Sequence, residues 1–480
     1  MKKRGYLFLF IIIFIFLLGL YFRLNFYFFN RPLWHDECSL AINILYKNYI
    51  EYFGALAHNQ SAPPLFMILT KFLTNLFGIK EVVLRFLPLC SSIISIPVFF
   101  IFSKRILKQN FSIFFANFLF CINYYIIYYC QEFKQYSSDI LIFLITYLIV
   151  LNIDLKTLSA KKIIFFSLIL SLAVLSSLPS LFVIFAFLIV ELYKNKKNII
   201  NKLILFFSPI ITTFIILYFS TLLPSKNSFL VSYWQNGFIS FDIASIVNII
   251  KTNLTYYFYP NKLVLIILIL ICIGAYSIIK NYKERNNLLI ITICLSIITA
   301  SFLQLYPIMQ RVSLYITPIL IILISKPIDF ISVNKKVVSV LIILLYILSF
   351  NSYNFSYLKQ ITKSPDYSYD ARMSMKNLKD LYRNNELIIV NAASDSEFIY
   401  YSAYYNLNTN NYVFVQTPNK DKELYFNILN NIPEYQNVWF FYVNDYSHSP
   451  VIPYLKEWVL NKNIFEECRN KNSFVIKIRT

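Results

Sequence analysis

Residues 6–21 read YLFLFIIIFIFLLGLY and follow Lys2, Lys3 and Arg4, and this stretch decides the class of fold. The apolar run is longer than that of a signal peptide, and no small-residue cleavage site follows it. A helix of roughly this length crosses a lipid bilayer, and basic residues before it favour an amino terminus on the inner side. We therefore predict a signal anchor whose amino terminus lies inside.

The composition shows that most of the chain shares this apolar character. Of its 480 residues, 58% are hydrophobic, 19% are aromatic and only 14% are charged. Soluble domains carry about 25% charged residues. The mean hydropathy of +0.58 points the same way. These values exclude a cytosolic enzyme, a disordered protein and a disulfide-stapled secreted module.

The net charge of +20 is distributed unevenly along the chain. Residues 351–480 carry 14 Lys and Arg against 13 Asp and Glu, so nearly all of the excess lies in residues 1–350. In a membrane protein, basic residues accumulate in short cytoplasmic loops. The charge is therefore a topology signal, and we predict no nucleic-acid partner.

Apolar runs separated by short polar breaks continue along the chain as far as residue 350. Every second break is basic, so we place all basic breaks inside. This alternation predicts about eleven transmembrane helices of roughly 15–20 residues each. Two of them, at residues 163–178 and 181–192, are short and are expected to turn at Pro179. The basic breaks contain Lys104, Arg105 and Lys108; Lys156, Lys161 and Lys162; Lys194, Lys196, Lys197 and Lys202; Lys280, Lys283 and Arg285; and Lys326, Lys335 and Lys336.

The same topology places residues 25–81, residues 223–260 and everything after residue 350 outside. Residues 351–480 contain short β-rich runs at 386–390, 412–415, 438–443 and 474–478, separated by stretches of helix length. This pattern predicts a small, mostly parallel α/β domain. The fold class is thus a polytopic α-helical membrane domain, residues 1–350, followed by an extracytoplasmic α/β domain, residues 351–480. No glycine follows Gly274, which argues against a nucleotide-binding loop in the second domain.

Ionisable residues beside the predicted spans form an inner and an outer set. The inner set is almost all Lys and Arg, which topology alone explains. The outer set is mixed in sign; interfacial ion pairing would explain one such motif, but several on one side indicate a site. The outer motifs are Trp34-His35-Asp36-Glu37; His58-Asn59-Gln60-Ser61-Ala62-Pro63-Pro64-Leu65; Glu81-Val82-Val83-Leu84-Arg85-Phe86-Leu87-Pro88; Gln131-Glu132-Phe133-Lys134-Gln135-Tyr136; and Gln310-Arg311-Val312-Ser313-Leu314-Tyr315-Ile316-Thr317-Pro318.

The order of these motifs resembles that of the GT-C glycosyltransferases, in particular the protein O-mannosyltransferase and aminoarabinose transferase-like membrane enzymes. The resemblance covers residues 1–350. It implies a polyprenyl-phosphate-linked sugar donor, an outward-facing active site and an inverting transfer to a hydroxyl of a glycan, lipid or protein. It also implies a multi-pass protein of the plasma or inner membrane.

The chain departs from the family's pattern at three positions. Ala62 precedes Pro63, whereas the family often has His there, and His58 lies four positions earlier. Lys134 stands where the family usually has Arg, and Val312 follows Arg311 where Tyr is common. The donor sugar and the acceptor are therefore left open.

The resemblance assigns chemical roles to the outer motifs. Asp36, which matches the family's Asp-Glu pair, is the expected base for the acceptor hydroxyl, with Glu37 as the next candidate. Neighbouring carboxylates on one helix do not face each other, so the second is free to point toward a metal, a lysine or the backbone. Lys134 and Arg311, and then Arg85, are expected to bind the donor phosphate.

Further residues of these motifs are expected to bind or orient the substrate. A divalent cation, Mg²⁺ or Mn²⁺, held by Asp36 and Glu37 is left open, because some relatives use a metal and others do not. The substrate-orienting candidates are Glu132, Tyr136, His58 and Gln131.

A flippase or transporter of lipid-linked saccharides is the alternative function. It predicts charges or Gly- and Pro-broken helices at mid-membrane, whereas the predicted span centres hold few of either. A structural scaffold is a third reading, against which the outer clusters argue. Cys38 and Cys130 are placed where they can meet outside the membrane, but unpaired thiols are favoured.

Overall fold

The computed structural model describes most of the first 330 residues and the ordered elements of the carboxy-terminal part. The described residues are 2–195, 199–226, 228–258, 264–330, 370–383, 386–407, 411–415, 437–443, 463–470 and 473–479, with a few single residues between. The predicted boundary at residue 350, and any span predicted over residues 331–350, lie outside them.

Helices make up nearly all of the described part of residues 2–330, as the apolar composition predicts. The first, α1, extends beyond the predicted anchor in both directions. The helices are α1 Lys2–Phe28, α2 His35–Tyr46, α3 Pro64–Phe77, α4 Glu81–Leu84, α5 Phe86–Ile106, α6 Asn110–Ile122, α7 Tyr124–Tyr128, α8 Tyr136–Asn152, α9 Ala160–Ser176, α10 Ser180–Asn195, α11 Ile200–Leu217, α12 Leu223–Ser225, α13 Ser228–Trp234, α14 Ile243–Phe258, α15 Val264–Lys280, α16 Arg285–Phe302 and α17 Thr317–Ser325.

Five stretches of the described chain are long and apolar enough to cross a membrane: Tyr6–Phe28, Phe86–Ile106, Ile200–Ser225, Arg285–Phe302 and Gln310–Asp329. The bent pair formed by α6 and α7 raises this number to six. Helices α3, α8 and α15 are apolar but shorter. The predicted pair of short helices on either side of Pro179 is present as α9 and α10. The predicted number of about eleven spans is therefore not confirmed.

Aromatic and aliphatic side chains fill the bundle interior and also cover its surface. Inside, Phe99 stacks on Phe120 with ring centroids 4.2 Å apart. Gly274 of α15 permits close helix packing, because a Cβ there would lie 2.1 Å from the Leu323 carbonyl oxygen of α17. Outside, many large apolar side chains are exposed, which suits contact with lipid rather than water.

The described residues of the carboxy-terminal part form a five-stranded sheet and include the helices α18 Ala371–Leu381 and α19 Asp395–Tyr404. The strand order is β2-β1-β3-β5-β4. β1 pairs in parallel with both β2 and β3, whereas β5 is antiparallel to β3 and β4. The strands are β1 Leu387–Asn391, β2 Tyr412–Val415, β3 Val438–Val443, β4 Asn463–Asn470 and β5 Ser473–Arg479.

The prediction of a mostly parallel sheet is thus wrong for β4 and β5, which pair in antiparallel. A tight connection between β4 and β5 can only join antiparallel neighbours, whereas parallel strands need a long crossover. Residues 463–470 were not predicted as a strand. The sheet and α2 share one apolar core, in which Cys38, Leu40, Ile388 and Trp439 are all fully buried.

Basic loops gather at one end of the bundle. The Lys202 ammonium donates to the Lys156 carbonyl, and the Lys326 ammonium donates to the Ile106 carbonyl. The Arg285 guanidinium reaches the Ile153 carbonyl at 2.5 Å. Helix α5 runs from this end to Phe86, next to the motif residue Arg85, so the outer motifs and the sheet lie at the opposite end.

Candidate active site

The first turn of α2 directs two neighbouring carboxylates into different surroundings. Successive residues of a helix point about 100° apart, so Asp36 and Glu37 face different neighbours. The Asp36 side chain is 23% exposed, whereas the Glu37 side chain has no exposed surface. This difference separates the two candidate bases that the sequence left open.

Glu37 is the centre of a buried ion-pair network. Its Oε1 accepts from Arg85 Nε at 2.8 Å and from the Phe133 backbone N–H at 2.7 Å. Its Oε2 lies 2.7 Å from Arg85 Nη2 and 3.2 Å from Arg31 Nη1. Although burial alone would raise it, the pKa of Glu37 is lowered because Arg31 and Arg85 hold their charges against the carboxylate. Glu37 therefore joins α2, the start of α5 and the loop before α8.

Arg85, which the sequence predicts to bind the donor phosphate, belongs to the same ion-pair network. Arg85 is 1% exposed, and besides Glu37 it donates to the carbonyl groups of Arg31 at 2.6 Å and Pro32 at 3.3 Å. These contacts turn the guanidinium toward the protein interior. These contacts hold the loop before α2, and the expectation that Arg85 also binds the donor phosphate stays a prediction.

Asp36 faces Arg311, which lies 275 positions later in the chain. Their Oδ2 and Nη2 atoms are 2.8 Å apart, and both side chains are partly exposed. The Arg311 guanidinium lies over the Trp34 ring, 5.4 Å from its centroid, and also contacts the Tyr233 hydroxyl at 3.4 Å. Arg311 belongs to a 3₁₀ turn, Gln310–Ile316, that leads into α17. The structure therefore brings the first and last predicted motifs together.

Lys134 and Glu132 lie beside this pair. Lys134 is 5% exposed, and its ammonium donates to Gln60 Oε1 at 2.5 Å. Burial lowers the pKa of Lys134, while the charge of Asp36 opposes that shift. Burial and the nearby charge of Glu37 raise the pKa of Glu132 to about 7. Two cations and two carboxylates thus lie within electrostatic reach of one another.

Three other predicted residues have different surroundings. Tyr136 is buried at the start of α8, with its ring edge against Tyr129 and the charges of Asp36 and Arg311 nearby. The Gln131 amide, oriented to satisfy its neighbours, accepts from Arg31 Nε at 3.0 Å. Tyr136 therefore borders the cluster, and Gln131 supports it from behind.

His58 faces the sheet domain instead of the cluster. Its Nδ1 lies 3.7 Å from Asp395 Oδ2 and 3.4 Å from Ser396 Oγ, both on α19. Gln60, two positions later in the same motif, accepts a hydrogen bond from Lys134. The sequence motif thus contains a residue of the cluster, but this residue is Gln60 rather than His58.

The sheet domain holds the segment before and within α2. The Tyr401 hydroxyl accepts from the Leu33 N–H at 2.8 Å and donates to Glu81 Oε1 at 2.5 Å. His35 Nδ1 lies 3.1 Å from Glu397 Oε2. Burial disfavours a charged imidazole, but the hydrogen bond and charge of Glu397 raise the pKa of His35 to about 9. Arg372 ion-pairs with Glu81 and so adds a further contact.

Sequence reasoning missed these supporting residues. Arg31 was one of the mixed outer charges, but no motif separated it from its neighbours. Glu397, Tyr401 and Arg372 had no signal at all, because they contact α2 and α4 from more than 290 positions away in the chain. All seven cysteines are free, so Cys38 and Cys130 do not pair.

No family model and no curated protein sequence matches the chain, but solved structures do. ArnT from Cupriavidus metallidurans bound to undecaprenyl phosphate matches 99% of this chain and 98% of its own at 10% identity, with a TM-score of 0.57. The archaeal oligosaccharyltransferase AglB from Archaeoglobus fulgidus, in complex with an inhibitory peptide and a dolichol-phosphate, matches 91% of this chain and 70% of its own at 11% identity, with a TM-score of 0.50. A further structure of the Archaeoglobus fulgidus oligosaccharyltransferase, in complex with Zn and sulfate, matches 90% of this chain and 68% of its own at 10% identity, with a TM-score of 0.50.

These similarities define the class of fold. ArnT and AglB are membrane glycosyltransferases of the GT-C superfamily. The chain shares the fold of these proteins, since the match to ArnT covers 99% of it, and its described residues include several helices able to span a membrane. It is therefore a multi-pass membrane protein of GT-C architecture, as its motifs predict.

Proposed function

We propose that this protein is an inverting glycosyltransferase. It moves a sugar from a polyprenyl-phosphate donor to an acceptor hydroxyl on the extracytoplasmic face of the membrane that the protein spans. The observation that carries the proposal is the approach of Asp36 to Arg311 beside Lys134. A carboxylate next to two cations, at the end of an apolar bundle, suits a reaction that needs a base and an anionic leaving group together. The acceptor is a hydroxyl of a glycan, lipid or protein.

The mechanism gives each of these residues one task. Asp36 accepts the proton of the acceptor hydroxyl as its oxygen attacks the anomeric carbon of the donor sugar. The bond between that carbon and the phosphate oxygen breaks, and its electron pair stays on the polyprenyl phosphate. Arg311 and Lys134 stabilise this added negative charge through charge-assisted hydrogen bonds. Attack from the side opposite the phosphate inverts the anomeric configuration.

Glu132 is assigned an orienting role. Its carboxyl is 1% exposed and lies 3.5 Å from Arg31, and its Oε1 has no hydrogen-bond partner among the described residues. A buried oxygen in this state favours a ligand or ammonium group that donates to it. Lys134 or a sugar hydroxyl supplies such a donor.

The carboxylates of Asp36 and Glu37 are not arranged to hold a metal ion together. Both oxygens of Glu37 are taken by Arg31, Arg85 and the Phe133 N–H, and the cation Arg311 lies against Asp36. Among the described residues, no group of three or more His, Cys, Asp or Glu side chains is placed to hold a metal ion. The mechanism above therefore uses only the residues of the chain.

The transporter alternative is less well supported by the described spans. Within the five long spans, charged side chains lie in the first or last two turns, as Arg285, Arg311 and Lys326 do. Ionisable groups near mid-membrane, where substrate crosses, are typical of transporters. The ion pair of Asp36 with Arg311 at the outer end instead suits chemistry at that surface.

The proposal is tested by replacing Asp36 with Asn, which keeps the size and polarity of the side chain. We expect Asp36→Asn to lower transfer by about 10²–10⁴-fold, the usual cost of losing a general base. Mass spectrometry of envelope glycans from cells with wild-type, variant or no protein measures the product. Asp380→Asn, which alters an exposed carboxylate of α18, is the matched control and should behave as wild type. An unchanged glycan profile in cells without the protein would refute the proposal.

A further inference from the structure

Two of the outer motifs contact the first turn of one helix in the sheet domain, α19. Glu397 Oε2 lies 3.1 Å from His35 Nδ1, and Asp395 Oδ2 lies 3.7 Å from His58 Nδ1. His35 is the first residue of α2 and directly precedes Asp36. Glu397 is fully buried, whereas the other three contacting side chains are partly exposed. A single helical turn of the sheet domain therefore reaches two separate motifs of the candidate site.

The Gln60 side chain connects the turn at His58 to Lys134. Its amide nitrogen donates to the His58 carbonyl at 3.1 Å, and its Oε1 accepts from the Lys134 ammonium at 2.5 Å. Because the donor and acceptor of an amide are fixed relative to each other, the bond to His58 also sets the direction of the bond to Lys134. The place of the Lys134 ammonium thus depends on the backbone at residue 58.

The backbone of this turn has a conformation that residues other than glycine rarely adopt. His58 has a φ of 57° and Asn59 has a φ of 52°, both in the left-handed region. Such strained residues persist only where the surrounding structure holds them, and they are concentrated at functional sites. The turn is therefore expected to relax when a contact that holds it is removed.

Contacts from two helices hold the turn. From α2, the buried Asn43 amide accepts from the Ala57 N–H at 2.8 Å and donates to the Ala57 carbonyl at 3.4 Å. From α19, Ser396 Oγ lies 3.4 Å from His58 Nδ1. The same hydroxyl accepts from Ser39 of α2 at 2.9 Å. The turn, α2 and α19 are therefore joined to one another by polar contacts.

We propose that the first turn of α19 positions both halves of the candidate site. Glu397 holds Asp36 in place through His35. Asp395 holds Lys134 in place through the turn. Both are positioning residues, because each acts through another residue. The inference rests on the proposed function, in which Asp36 is the base and Lys134 binds the donor phosphate.

Separate measurements of lipid binding and of transfer test this inference. Native mass spectrometry of the full chain in detergent measures the binding of undecaprenyl phosphate. Mass spectrometry of envelope glycans, from cells with equal protein levels, measures the product of transfer. A contact that only stabilises the fold would change both quantities together. Positioning of a base and of a phosphate cation predicts instead that the two carboxylates of α19 affect different quantities.

Glu397→Gln is expected to lower transfer without changing lipid binding. It removes the charge that faces His35 and keeps the size of the side chain. We expect the product to fall about tenfold or more, because a small displacement of a reacting group costs up to about 10²-fold in rate. The dissociation constant for undecaprenyl phosphate should match that of wild type. His35→Gln removes the same contact from the side of α2 and should give the same result.

Asp395→Asn is expected to weaken the binding of undecaprenyl phosphate about three- to fivefold, a factor typical of one partly exposed ion pair. His58→Gln should weaken it by the same factor. The double variant should bind no more weakly than either single variant, because both changes remove one contact. Gln60→Leu removes the contact with Lys134 directly and should weaken binding at least as much. Asp380→Asn, in an exposed carboxylate of α18, is the control and should match wild type in both measurements.

The outcomes separate the inference from the proposed function. If wild type binds the lipid and makes the product, but Glu397→Gln and Asp395→Asn behave as wild type or change both quantities alike, α19 does not position the site. The same holds if the double variant binds more weakly than either single variant. If wild type does not bind undecaprenyl phosphate, or if cells without the protein keep the same glycans, the proposed function fails and the inference falls with it.

Discussion

Asp36 and Glu37 are adjacent in the chain, yet their carboxylates differ in exposure and in hydrogen-bond partners. Glu37 accepts hydrogen bonds from two arginines and a backbone N–H, so its charge is fixed and its oxygens are occupied. Asp36 is partly exposed and contacts one cation, Arg311, that a substrate phosphate can also attract. A reactive base needs access to its substrate, and of these two carboxylates only Asp36 is partly exposed.

The role of Arg311 is predicted to depend on its planar guanidinium. If Arg311 only extended its charge to the membrane surface, Lys would replace it well, because both have long apolar stems. If Arg311 binds phosphate through two directed bonds, Lys supplies a point charge and falls short. We expect the Michaelis constant for a polyprenyl-phosphate sugar to rise several-fold in Arg311→Lys and by about tenfold or more in Arg311→Ala, as the loss of a charged hydrogen bond implies. Equal constants for wild type and Arg311→Ala would show that the phosphate is held elsewhere.

Arg85 is predicted to affect stability more than donor binding. Removing one partner of a buried ion pair leaves the other charge without compensation, at a cost of about 3–5 kcal/mol. We therefore expect Arg85→Met to lower the unfolding temperature markedly, because Glu37 then keeps only Arg31 as a charged partner. Lys80→Met, which replaces an exposed cation one residue before α4, is the control. Normal thermal stability combined with a raised Michaelis constant for the donor would return Arg85 to the phosphate site.

At the scale of single elements, α2 is a short helix held from two sides. It has twelve residues, too few for a stable isolated helix, so packing must fix its position. The bundle holds it through Glu37, and the sheet domain holds it through His35 and through Ser39, which donates to Ser396 Oγ at 2.9 Å. Through α2, the sheet domain thus helps to set the position of Asp36.

The contact between His35 and Glu397 is predicted to depend on pH. The pKa of His35 is about 9 in the folded protein, above its ordinary value, so charged His35 stabilises the folded state. This contribution is complete below about pH 6.5 and disappears as the pH rises through about 9. The other charges facing His35 are Asp395 of the sheet domain and Asp36 of its own helix, and both favour the charged form.

The measurement compares unfolding temperatures of wild type and His35→Gln from pH 6 to pH 10. We expect wild type to be more stable near pH 6.5 and the difference to shrink toward zero near pH 10. Taking the difference removes the effects of other groups that titrate over this range. A difference that stays constant with pH would show that His35 is not charged in the folded protein.

The elements that the sequence predicted well are those whose apolar pattern is local. The strands β1, β2, β3 and β5 were predicted from runs rich in Val, Ile and aromatic residues. β4 reads NIFEECRN and lacks such a run, because it lies at the sheet edge and pairs only with β5. Edge strands often carry charged side chains, so their sequence lacks the apolar pattern from which a strand is predicted.

The sequence predicted which motifs contribute to the candidate site, but it did not predict how their side chains are arranged. The mixed charges of the outer motifs indicated that Asp36 and Arg311 belong to one site, although 275 positions separate them. The sequence did not indicate that Glu37 is buried between Arg31 and Arg85, or that His58 faces the sheet domain. Each of these facts depends on which helix packs against which loop, and no local pattern records that.

At the scale of the whole molecule, the charge distribution gives the bundle two different ends. One end gathers the basic loops, where Lys202, Lys326 and Arg285 donate to backbone carbonyl groups of neighbouring helices. The other end carries the Asp36 cluster and the sheet domain. Because Lys and Arg accumulate on the cytoplasmic side, this polarity supports a site and a sheet domain that face outward.

Single-cysteine labelling of a cysteine-free variant tests this orientation. Lys376 on α18 and Lys283 in the loop before α16 are both exposed in the folded protein, so a thiol at either position is open to a reagent. With a membrane-impermeant maleimide on intact cells, we expect Lys376→Cys to be labelled and Lys283→Cys to be labelled only after permeabilisation. The two positions serve as controls for each other, because they differ in the end of the bundle and not in accessibility. The reverse pattern would place the Asp36 cluster on the cytoplasmic side, where nucleotide-linked sugars are available and the argument for a lipid-linked donor loses its main support.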